Sequence, residues 1–226
     1  MSKKYKLLDL FCGGGGCSTG YMQAGFEVVG VDLRSQPNYP YKMYRGDALE
    51  FLCKHGKEFD AIHASPPCQA HTKLAAIARK NQGIYHPDLI PATRELLEDS
   101  NRPYVIENVV GAPINDPLVL CGTMFGLKLY RHRLFETTFY VPAPLHPKHV
   151  NRCISRGAAR PTKDQWYTVT GHFAGVEEVG RIMGLPHLGQ RELAQAIPPA
   201  YTKYIGKYLL QHLSTPKNRV PSKGRP

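Results

Sequence analysis

Short, continuous apolar runs separated by turn residues dominate the first half of the chain. Three such runs occupy residues 5–11, 26–31 and 59–64. Continuous rather than alternating hydrophobicity is typical of strands that are buried on both faces of a parallel sheet. Residues 18–25 follow a helical pattern that ends at Gly25, a common helix-terminating residue. This strand–helix–strand order predicts an α/β fold with a mostly parallel, doubly wound sheet.

The same patterns extend along the rest of the chain. They predict a brief apolar segment at 118–121, strands at 42–45, 104–106 and 134–141, and helices at 48–55, 87–99, 176–183 and from Pro198 onwards. Residues 142–165 show no period and are rich in proline and arginine, which indicates an irregular insertion. Residues 214–226 are basic and rich in proline and glycine, so we expect a disordered tail.

The net charge of the chain indicates the class of partner that it binds. The 226 residues carry a formal net charge of +11, which predicts a polyanionic partner. Glu136 is the only acid between residues 128 and 163, whereas the basic residues there are Lys128, Arg131, Arg133, Lys148, Arg152, Arg156, Arg160 and Lys163. This one-sided cluster favours contact with phosphate, although a solvated basic face that aids solubility has the same composition.

Cysteine spacing and hydropathy limit the other classes of function. Six cysteines occur without a CxxC pair, so we expect neither a disulfide framework nor a metal. His146, His149 and Cys153 are close in sequence but lack the spacing of a zinc finger. No apolar run reaches the ~18 residues of a membrane span. Without a recognisable secretory segment, the chain is expected to be cytoplasmic and to have no membrane partner.

Cys68 is the main candidate for a catalytic residue. It follows the run at 59–64 across a Ser-Pro-Pro turn, in which two prolines fix φ and remove backbone donors. Such a turn presents the thiol rigidly at a strand end, where ligands bind in open α/β sheets. Taken alone, the residue is equally compatible with a small buried hydrophobic role.

A glycine turn and two acids mark the ends of the first three strands. Cys12 precedes the four glycines 13–16, and Asp32 and Asp47 lie just after the second and third strands. In such units the glycines let a ligand approach the backbone, and the acid accepts hydrogen bonds from ribose hydroxyls. Asp47 has two interpretations, as the N-cap of the helix that follows it or as a partner for an adenine amine.

The order of these motifs resembles that of the DNA cytosine-5 methyltransferases, most of all the short phage-encoded members. The matching segments are Asp9 to Gly16, Asp32, Gly46 and Asp47, Ser65 to Gln69, Glu107 to Val109, and Arg131 to Arg133. The resemblance covers residues 5–140 and 169–210. It implies a Rossmann-like methyltransferase fold, S-adenosylmethionine as cofactor, and DNA as the partner of a monomeric chain.

The resemblance also implies a role for each matching residue. Cys68 would add to a flipped-out cytosine as the nucleophile, Glu107 would contact ring nitrogen N3 and the amine, and Arg131 and Arg133 would complete the catalytic set. The implied cofactor-binding residues are Phe11, Cys12, Gly13, Gly14, Gly15, Asp32, Leu33, Asp47, Ala48 and Pro66. Candidate DNA-binding residues are Gln69, Thr72, Arg152, Arg156 and Arg160.

The resemblance divides the chain into functional segments and leaves alternatives open. Residues 1–141 would form the catalytic and cofactor-binding domain, 142–165 a reduced target-recognition segment, 166–213 the return to the catalytic domain, and 214–226 the tail. The family's C-terminal asparagine is replaced by Gln195, which keeps transfer of another one-carbon or carboxymethyl group open. Methylation of RNA is also open, because the eukaryotic tRNA-aspartate enzyme shares this motif order. A non-catalytic DNA-binding protein on the same scaffold is the remaining alternative.

Overall fold

The computed structural model describes residues 4–71, 86–154, 165–171 and 173–215. Within these ranges the strands are β1 (Lys6–Leu10), β2 (Glu27–Asp32), β3 (Lys42–Arg45), β4 (Ala61–Ala64), β5 (Tyr104–Asn108), β6 (Leu118–Leu120), β7 (Arg133–Thr137), β8 (Arg152–Ile154) and β9 (Gln165–Tyr167). The helices are α1 (Gly16–Ala24), α2 (Ala48–His55), α3 (Ile90–Asp99), α4 (Val176–Met183), α5 (Gln190–Gln195) and α6 (Pro199–Ser214). Three predicted DNA-binding residues, Thr72, Arg156 and Arg160, and most of the predicted tail lie outside the described residues.

The main sheet has seven strands in the order β3-β2-β1-β4-β5-β7-β6. The five strands from β3 to β5 are parallel, whereas β7 runs antiparallel to both β5 and β6. The predicted α/β fold with a mostly parallel sheet is therefore confirmed. The strand order reverses beside β1, and the carboxyl ends of the five parallel strands meet at one edge. Open α/β sheets bind ligands in the crevice at this position.

Alternate residues of β1 pack into the two layers that cover the sheet. Leu8 and Leu10 belong to a core shared with helices α2 and α3, whereas Leu7 belongs to a core shared with α1 and α6. All three leucines have 0% exposure, and full burial of such a side chain stabilises the fold by about 1.5–3 kcal/mol. Burial on both faces explains why the strands read as continuous apolar runs.

Helix α6 brings the C-terminal part of the chain back onto the first helix. Gly20 of α1 has no room for a side chain, since a Cβ there would lie 2.3 Å from the Pro199 carbonyl oxygen. The Thr202 hydroxyl donates to the Cys17 carbonyl over 2.9 Å across the same contact. Helix α6 therefore packs closely on α1, and the predicted division of the chain into functional segments stays a prediction.

The segment after β7 contains the predicted helix α4, together with β8, β9 and α5, which the sequence patterns did not indicate. Strands β8 and β9 form a separate two-stranded parallel sheet. Helices α4 and α5 contribute to a third apolar cluster, which includes Leu129, Tyr167, Val179 and Leu193. In the described parts of the chain, no helix is both long and apolar enough to cross a membrane.

Candidate active site

Cys68 lies at the carboxyl edge of the sheet, as the sequence predicts. Strand β4 ends at Ala64, and residues 65–67 lead into a single 3₁₀ turn that begins at Cys68. Asn108, the last residue of β5, donates from Nδ2 to the Pro66 carbonyl over 2.9 Å. This buried hydrogen bond ties the turn to the neighbouring strand, so a half-buried Cys68 is held in a fixed position.

Glu107 is buried on β5 and forms an ion pair with Arg133 at the start of β7. Its Oε1 atom lies 3.1 Å from Arg133 Nε, and the two side chains are 7% and 15% exposed. Arg133 also donates from Nη1 to the His132 carbonyl over 2.8 Å. Removing two charges from water costs several kcal/mol, which their attraction and additional hydrogen bonds offset in part. The pair therefore fixes the orientation of the carboxyl group on the strand next to Cys68.

Arg131 is placed differently from Arg133. Its guanidinium is buried and donates from Nη1 to the Val169 carbonyl over 2.6 Å and from Nη2 to the Ala194 carbonyl over 2.8 Å. Its own carbonyl accepts a 2.7 Å hydrogen bond from the Tyr201 hydroxyl. Burial lowers the pKa of Arg131 to about 9. These bonds connect three later segments to the site, and they favour a positioning role over the predicted catalytic one.

The charges around Cys68 act on its thiol in opposite directions. Burial raises the pKa of Cys68, Arg133 lowers it, and Glu107 raises it, with a smaller lowering by Arg131. Burial also raises the pKa of Glu107, against the lowering effect of Arg133. A carboxyl group with a raised pKa is suited to share or deliver a proton. Arg133 thus favours the charged forms of both groups.

The glycine turn and Asp32 are joined at the predicted cofactor position. Asp32 accepts a 3.0 Å hydrogen bond from Gly13 N through Oδ2 and a 2.9 Å bond from Arg34 N through Oδ1. Phe11 and Gly13 both have positive φ, at 58° and 50°. A Cβ on Gly13 would have no atom within 4 Å, so the turn borders open space. The predicted contacts of Phe11, Gly13 and Asp32 with a ligand fit this placement and stay predictions.

The other predicted cofactor-binding residues vary in their exposure. Asp47 caps α2 by accepting from Leu49 N and Glu50 N over 2.8 and 2.9 Å through Oδ1, which confirms one of its two interpretations. Leu33 follows β2 and is 66% exposed, an unusual position for a large apolar side chain. The remaining members, which are all buried, are Cys12, Gly14, Gly15, Ala48 and Pro66.

Glu136, the single acidic residue of the basic stretch 128–163, points away from solvent. Glu136 is buried and accepts from Arg94 Nε and Nη2 over 2.9 and 2.8 Å. It therefore does not neutralise Lys128, Lys148 and Arg152, which are exposed. Gln69 is exposed next to Cys68. The described members of the predicted DNA-binding set can thus reach a ligand from solvent.

Sequence patterns missed two polar residues that support the site. Ser65 is close to His63 Nε2, with 3.0 Å between the hydroxyl oxygen and the ring nitrogen. The Ser65 hydroxyl is also one of the influences that lower the pKa of Glu107. Asn108 holds the proline turn, as described above. Both residues lie within motif segments of the sequence, and His63 is only two residues from Ser65. The contacts of Ser65 with Glu107 and of Asn108 with Pro66 join distant parts of the chain, so only the fold reveals them.

The chain is similar to known methyltransferases over part of its length. No protein-family model matches it. The Type II methyltransferase M.FnuDI of Fusobacterium nucleatum is 30% identical over 89 residues, and M.AgeI of Thalassovita gelatinovora is 27% identical over 122 residues. These alignments cover 36% and 47% of this chain but only 25% and 28% of the two relatives. The chain therefore spans less than a third of the length of the curated relatives it matches.

Solved structures match the chain over nearly all of its length. The Entamoeba histolytica methyltransferase EhMeth has a TM-score of 0.63 at 12% identity and covers 95% of this chain and 100% of its own. The S. pombe Dnmt2 methyltransferase has a TM-score of 0.57 at 14% identity, with 94% and 100% covered. The fold is thus the predicted Rossmann-like methyltransferase fold. Together with the motif order, the Type II methyltransferase relatives confirm the resemblance to the DNA cytosine-5 methyltransferase family.

Proposed function

We propose that this chain transfers a methyl group from S-adenosylmethionine to carbon 5 of a flipped-out cytosine in DNA. The observation that carries the proposal is the placement of Cys68 beside the buried Glu107–Arg133 pair. The proline turn fixes the thiol. Glu107, on the strand next to that turn, lies 3.1 Å from Arg133 at the start of β7. A nucleophile, a proton-sharing carboxyl and a cation in one crevice are the groups that the reaction needs.

S-adenosylmethionine fits the residues around the glycine turn. The open space beside Gly13 admits a ligand to the backbone. Each oxygen of Asp32 accepts one backbone hydrogen bond, which leaves lone pairs that ribose hydroxyls can use. The exposed side chain of Leu33 offers an apolar surface for a purine face. When bound, the cofactor supplies the activated methyl group.

Cys68 would begin the reaction by adding to carbon 6 of the target cytosine. The Sγ–C6 bond forms as the C5–C6 double bond opens, and the negative charge moves into the ring. Glu107 would hold a proton at N3, which stabilises that charge and makes carbon 5 nucleophilic. Transfer to carbon 5 leaves the donor sulfur as a neutral thioether. Water then takes the C5 proton, the electron pair re-forms the C5–C6 double bond, and the Sγ–C6 bond breaks, so Cys68 is released as the thiolate and the N3 proton returns to Glu107.

A cytosine inside a duplex cannot reach this crevice, so the base must leave the stack. The exposed basic residues Lys128, Lys148 and Arg152 would bind the phosphates on either side of it. Cytosine unpaired by a mismatch costs less to extrude, and we expect it to react faster than paired cytosine. The same geometry admits a single-stranded loop of RNA, which keeps RNA as the second candidate substrate.

A mechanism-based trap tests the proposal. We expect DNA containing 5-fluorocytosine to form a covalent complex with the chain, because fluorine at carbon 5 prevents the final elimination. Cys68→Ser should abolish the complex, whereas Cys53→Ser, which removes an exposed cysteine on α2, should leave it unchanged. A complex at wild-type level in Cys68→Ser would refute the role of Cys68.

A reaction with unmodified DNA separates the open alternatives. Mass spectrometry of the nucleosides after reaction should give 5-methyl-2′-deoxycytidine from DNA and no larger substituent at carbon 5. Bisulfite sequencing of DNA and RNA from cells that express the chain shows which polymer is modified. Modified RNA with unmodified DNA would move the proposal to RNA, and a carboxymethyl product would change the donor. Absence of any product with purified cofactor would favour a binding protein.

A further inference from the structure

Four potential metal ligands meet beside the active site, although they come from separate parts of the chain. Cys121 follows β6, His132 precedes β7, and His146 and His149 lie in the irregular segment after β7. One ligand atom from each of the four lies within 4.8 Å of all the others. Cys121 is fully buried and His132 is partly buried, whereas both residues of the segment are exposed.

Two of the six distances between the ligand atoms agree closely with a tetrahedral centre, and all six are within 4.8 Å. The Nε2 atoms of His146 and His149 are 3.1 Å apart, and Cys121 Sγ is 3.4 Å from His149 Nε2. A tetrahedral zinc ion with ordinary bond lengths would separate two nitrogens by roughly 3.3 Å, and a nitrogen from a sulfur by about 3.6 Å. The observed separations are thus close to the edges of such a tetrahedron.

Hydrogen bonds alone account poorly for the same contacts. His149 Nε2 faces both Cys121 Sγ and His146 Nε2, but one ring nitrogen carries either a single proton or a single lone pair. It cannot make a linear hydrogen bond to both. Lone pairs that converge on a cation satisfy all the ligand atoms at once.

Residues around the cluster hold its outer member in place. The Tyr130 ring stacks on His149 with centroids 3.9 Å apart and planes 17° apart. The Tyr130 hydroxyl donates to the Asn151 carbonyl over 3.1 Å and accepts from Asn151 N over 3.0 Å. Partners that orient a histidine ring are a regular feature of metal sites.

We propose that Cys121, His132, His146 and His149 bind a structural zinc ion, which fastens residues 142–154 to the catalytic domain. A thiolate with imidazoles is a donor set that zinc prefers, and four protein ligands leave no open position, as in structural sites. His132 stands between Arg131 and Arg133, so the ion would connect the predicted recognition segment to the two arginines. The proposal is independent of the reaction that the site performs.

This inference reverses the expectation of no metal that came from local spacing. The sequence brought His146 and His149 together with Cys153, but Cys153 Sγ instead contacts the Thr168 hydroxyl. The fold replaces it with Cys121, which is 28 residues from His149. Local spacing does not reveal a site whose first two ligands are set by the pairing of β6 with β7.

Metal analysis of the full chain, purified without an affinity tag and dialysed against metal-free buffer, tests the proposal. We expect about one zinc per chain, as in four-ligand structural sites. His146 and His149 are exposed, so His146→Gln and His149→Gln should each release the zinc without disturbing the core. Cys121→Ser should release it as well. Cys153→Ser is the matched control and should keep it. Zinc retained by the His146→Gln/His149→Gln double variant, or a metal-free wild-type chain that binds no added zinc, would overturn the proposal.

Cobalt reports on the geometry and the sulfur ligand. Co²⁺ added to the metal-free chain should give the strong visible bands of a tetrahedral ion and a sulfur-to-cobalt charge-transfer band. His149→Gln should weaken the visible bands, and Cys121→Ser should remove the charge-transfer band. Hydrogen exchange supplies the structural readout, since removal of zinc should speed exchange in residues 142–151 and leave β1 to β5 unchanged. Exchange that is the same with and without zinc would overturn the fastening role.

Discussion

Asp9 of β1 and His63 of β4 are register partners on adjacent parallel strands, and both side chains are fully buried against helix α1. Asp9 accepts a hydrogen bond from the Ser18 hydroxyl, and the Tyr21 hydroxyl is 3.0 Å from His63 Nδ1. Burial raises the pKa of Asp9 to about 7 and lowers the pKa of His63 to about 3. At pH 5 both groups are therefore neutral in the folded chain.

The two groups should make opposite contributions to the pH dependence of stability. The folded chain holds a proton on Asp9 that the unfolded chain loses above about pH 4, so this contribution falls as pH rises towards 7. The unfolded chain binds a proton on His63 below about pH 6.5, so that contribution falls as pH decreases towards 3. Between about pH 4 and 6.5 the two slopes oppose each other, and each is at most about 1.4 kcal/mol per pH unit.

Single substitutions should expose each slope. In urea titrations between pH 4.5 and 6.5, we expect the free energy of unfolding of His63→Gln to fall with rising pH relative to wild type. The free energy of unfolding of Asp9→Asn should rise with rising pH relative to wild type. All other titrating groups are common to the three chains, so the differences between their slopes isolate the pair. Parallel curves for the two variants would contradict the assignment.

The contact between α1 and α6 should tolerate no added methyl group. A Cβ on Gly20 would lie 2.0 Å from Thr202 Oγ1 and 2.3 Å from the Pro199 carbonyl oxygen. The hydroxyl can rotate away, but the backbone carbonyl cannot move without shifting α6. We expect Gly20→Ala to lower the free energy of unfolding by about 1–3 kcal/mol, despite the higher helix propensity of alanine. The measurement is the urea midpoint at constant slope.

Gly46→Ala is the matched control for this prediction. A Cβ at Gly46 would meet no atom within 4 Å, and the residue does not require positive φ. Its change in stability should stay within about 0.5 kcal/mol. Equal changes in the free energy of unfolding for Gly20→Ala and Gly46→Ala would contradict the close contact between α1 and α6.

Features set by neighbouring residues could be predicted from the sequence, whereas features set by contacts between distant residues could not. Strands β1, β2, β4 and β5 were predictable because burial on both faces gives each a largely continuous apolar run. Strand β3 lies at the edge of the sheet and is mostly exposed, so this reason does not apply to it. Helix α5 was not, because only Leu193 is buried within its six residues and no period can develop. The Cys68 turn is local and was predicted, whereas the hydrogen bonds of Arg131 reach partners 38 and 63 residues away. No pattern within a short window carries that information.

Neutralising the basic stretch should weaken DNA binding in a salt-dependent way. We expect the triple variant Arg152→Gln, Arg156→Gln, Arg160→Gln to bind duplex DNA less tightly. Its plot of log affinity against log salt should be shallower by about 0.9 for each phosphate contact that is lost. Fluorescence anisotropy between low and physiological salt measures this slope.

The control removes three exposed positive charges elsewhere, at Lys54, Lys203 and Lys207. That variant has the same net charge as the arginine triple variant, so a general effect of charge would weaken both equally. Binding of S-adenosylmethionine should be unchanged in the arginine triple variant. Loss of cofactor binding instead would show that the segment supports the proposed cofactor site rather than the proposed contact with DNA.

The reactivity of Cys68 should respond with opposite sign to its two charged neighbours. Arg133 lowers the pKa of Cys68 and Glu107 raises it, against the larger effect of burial. Because the thiolate is the reactive form, Arg133→Gln should move the pH profile of Cys68 alkylation to higher pH, and Glu107→Gln should move it to lower pH. Iodoacetamide labelling followed by peptide mass mapping measures this residue separately from the exposed Cys53 and Cys153.

Removing Arg133 also leaves Glu107 buried without its partner, so the carboxyl takes up a proton more readily, and the shift should be smaller than charge removal alone would give. Shifts of the same sign in both variants would mean that access to the thiol, rather than its charge environment, controls the reaction.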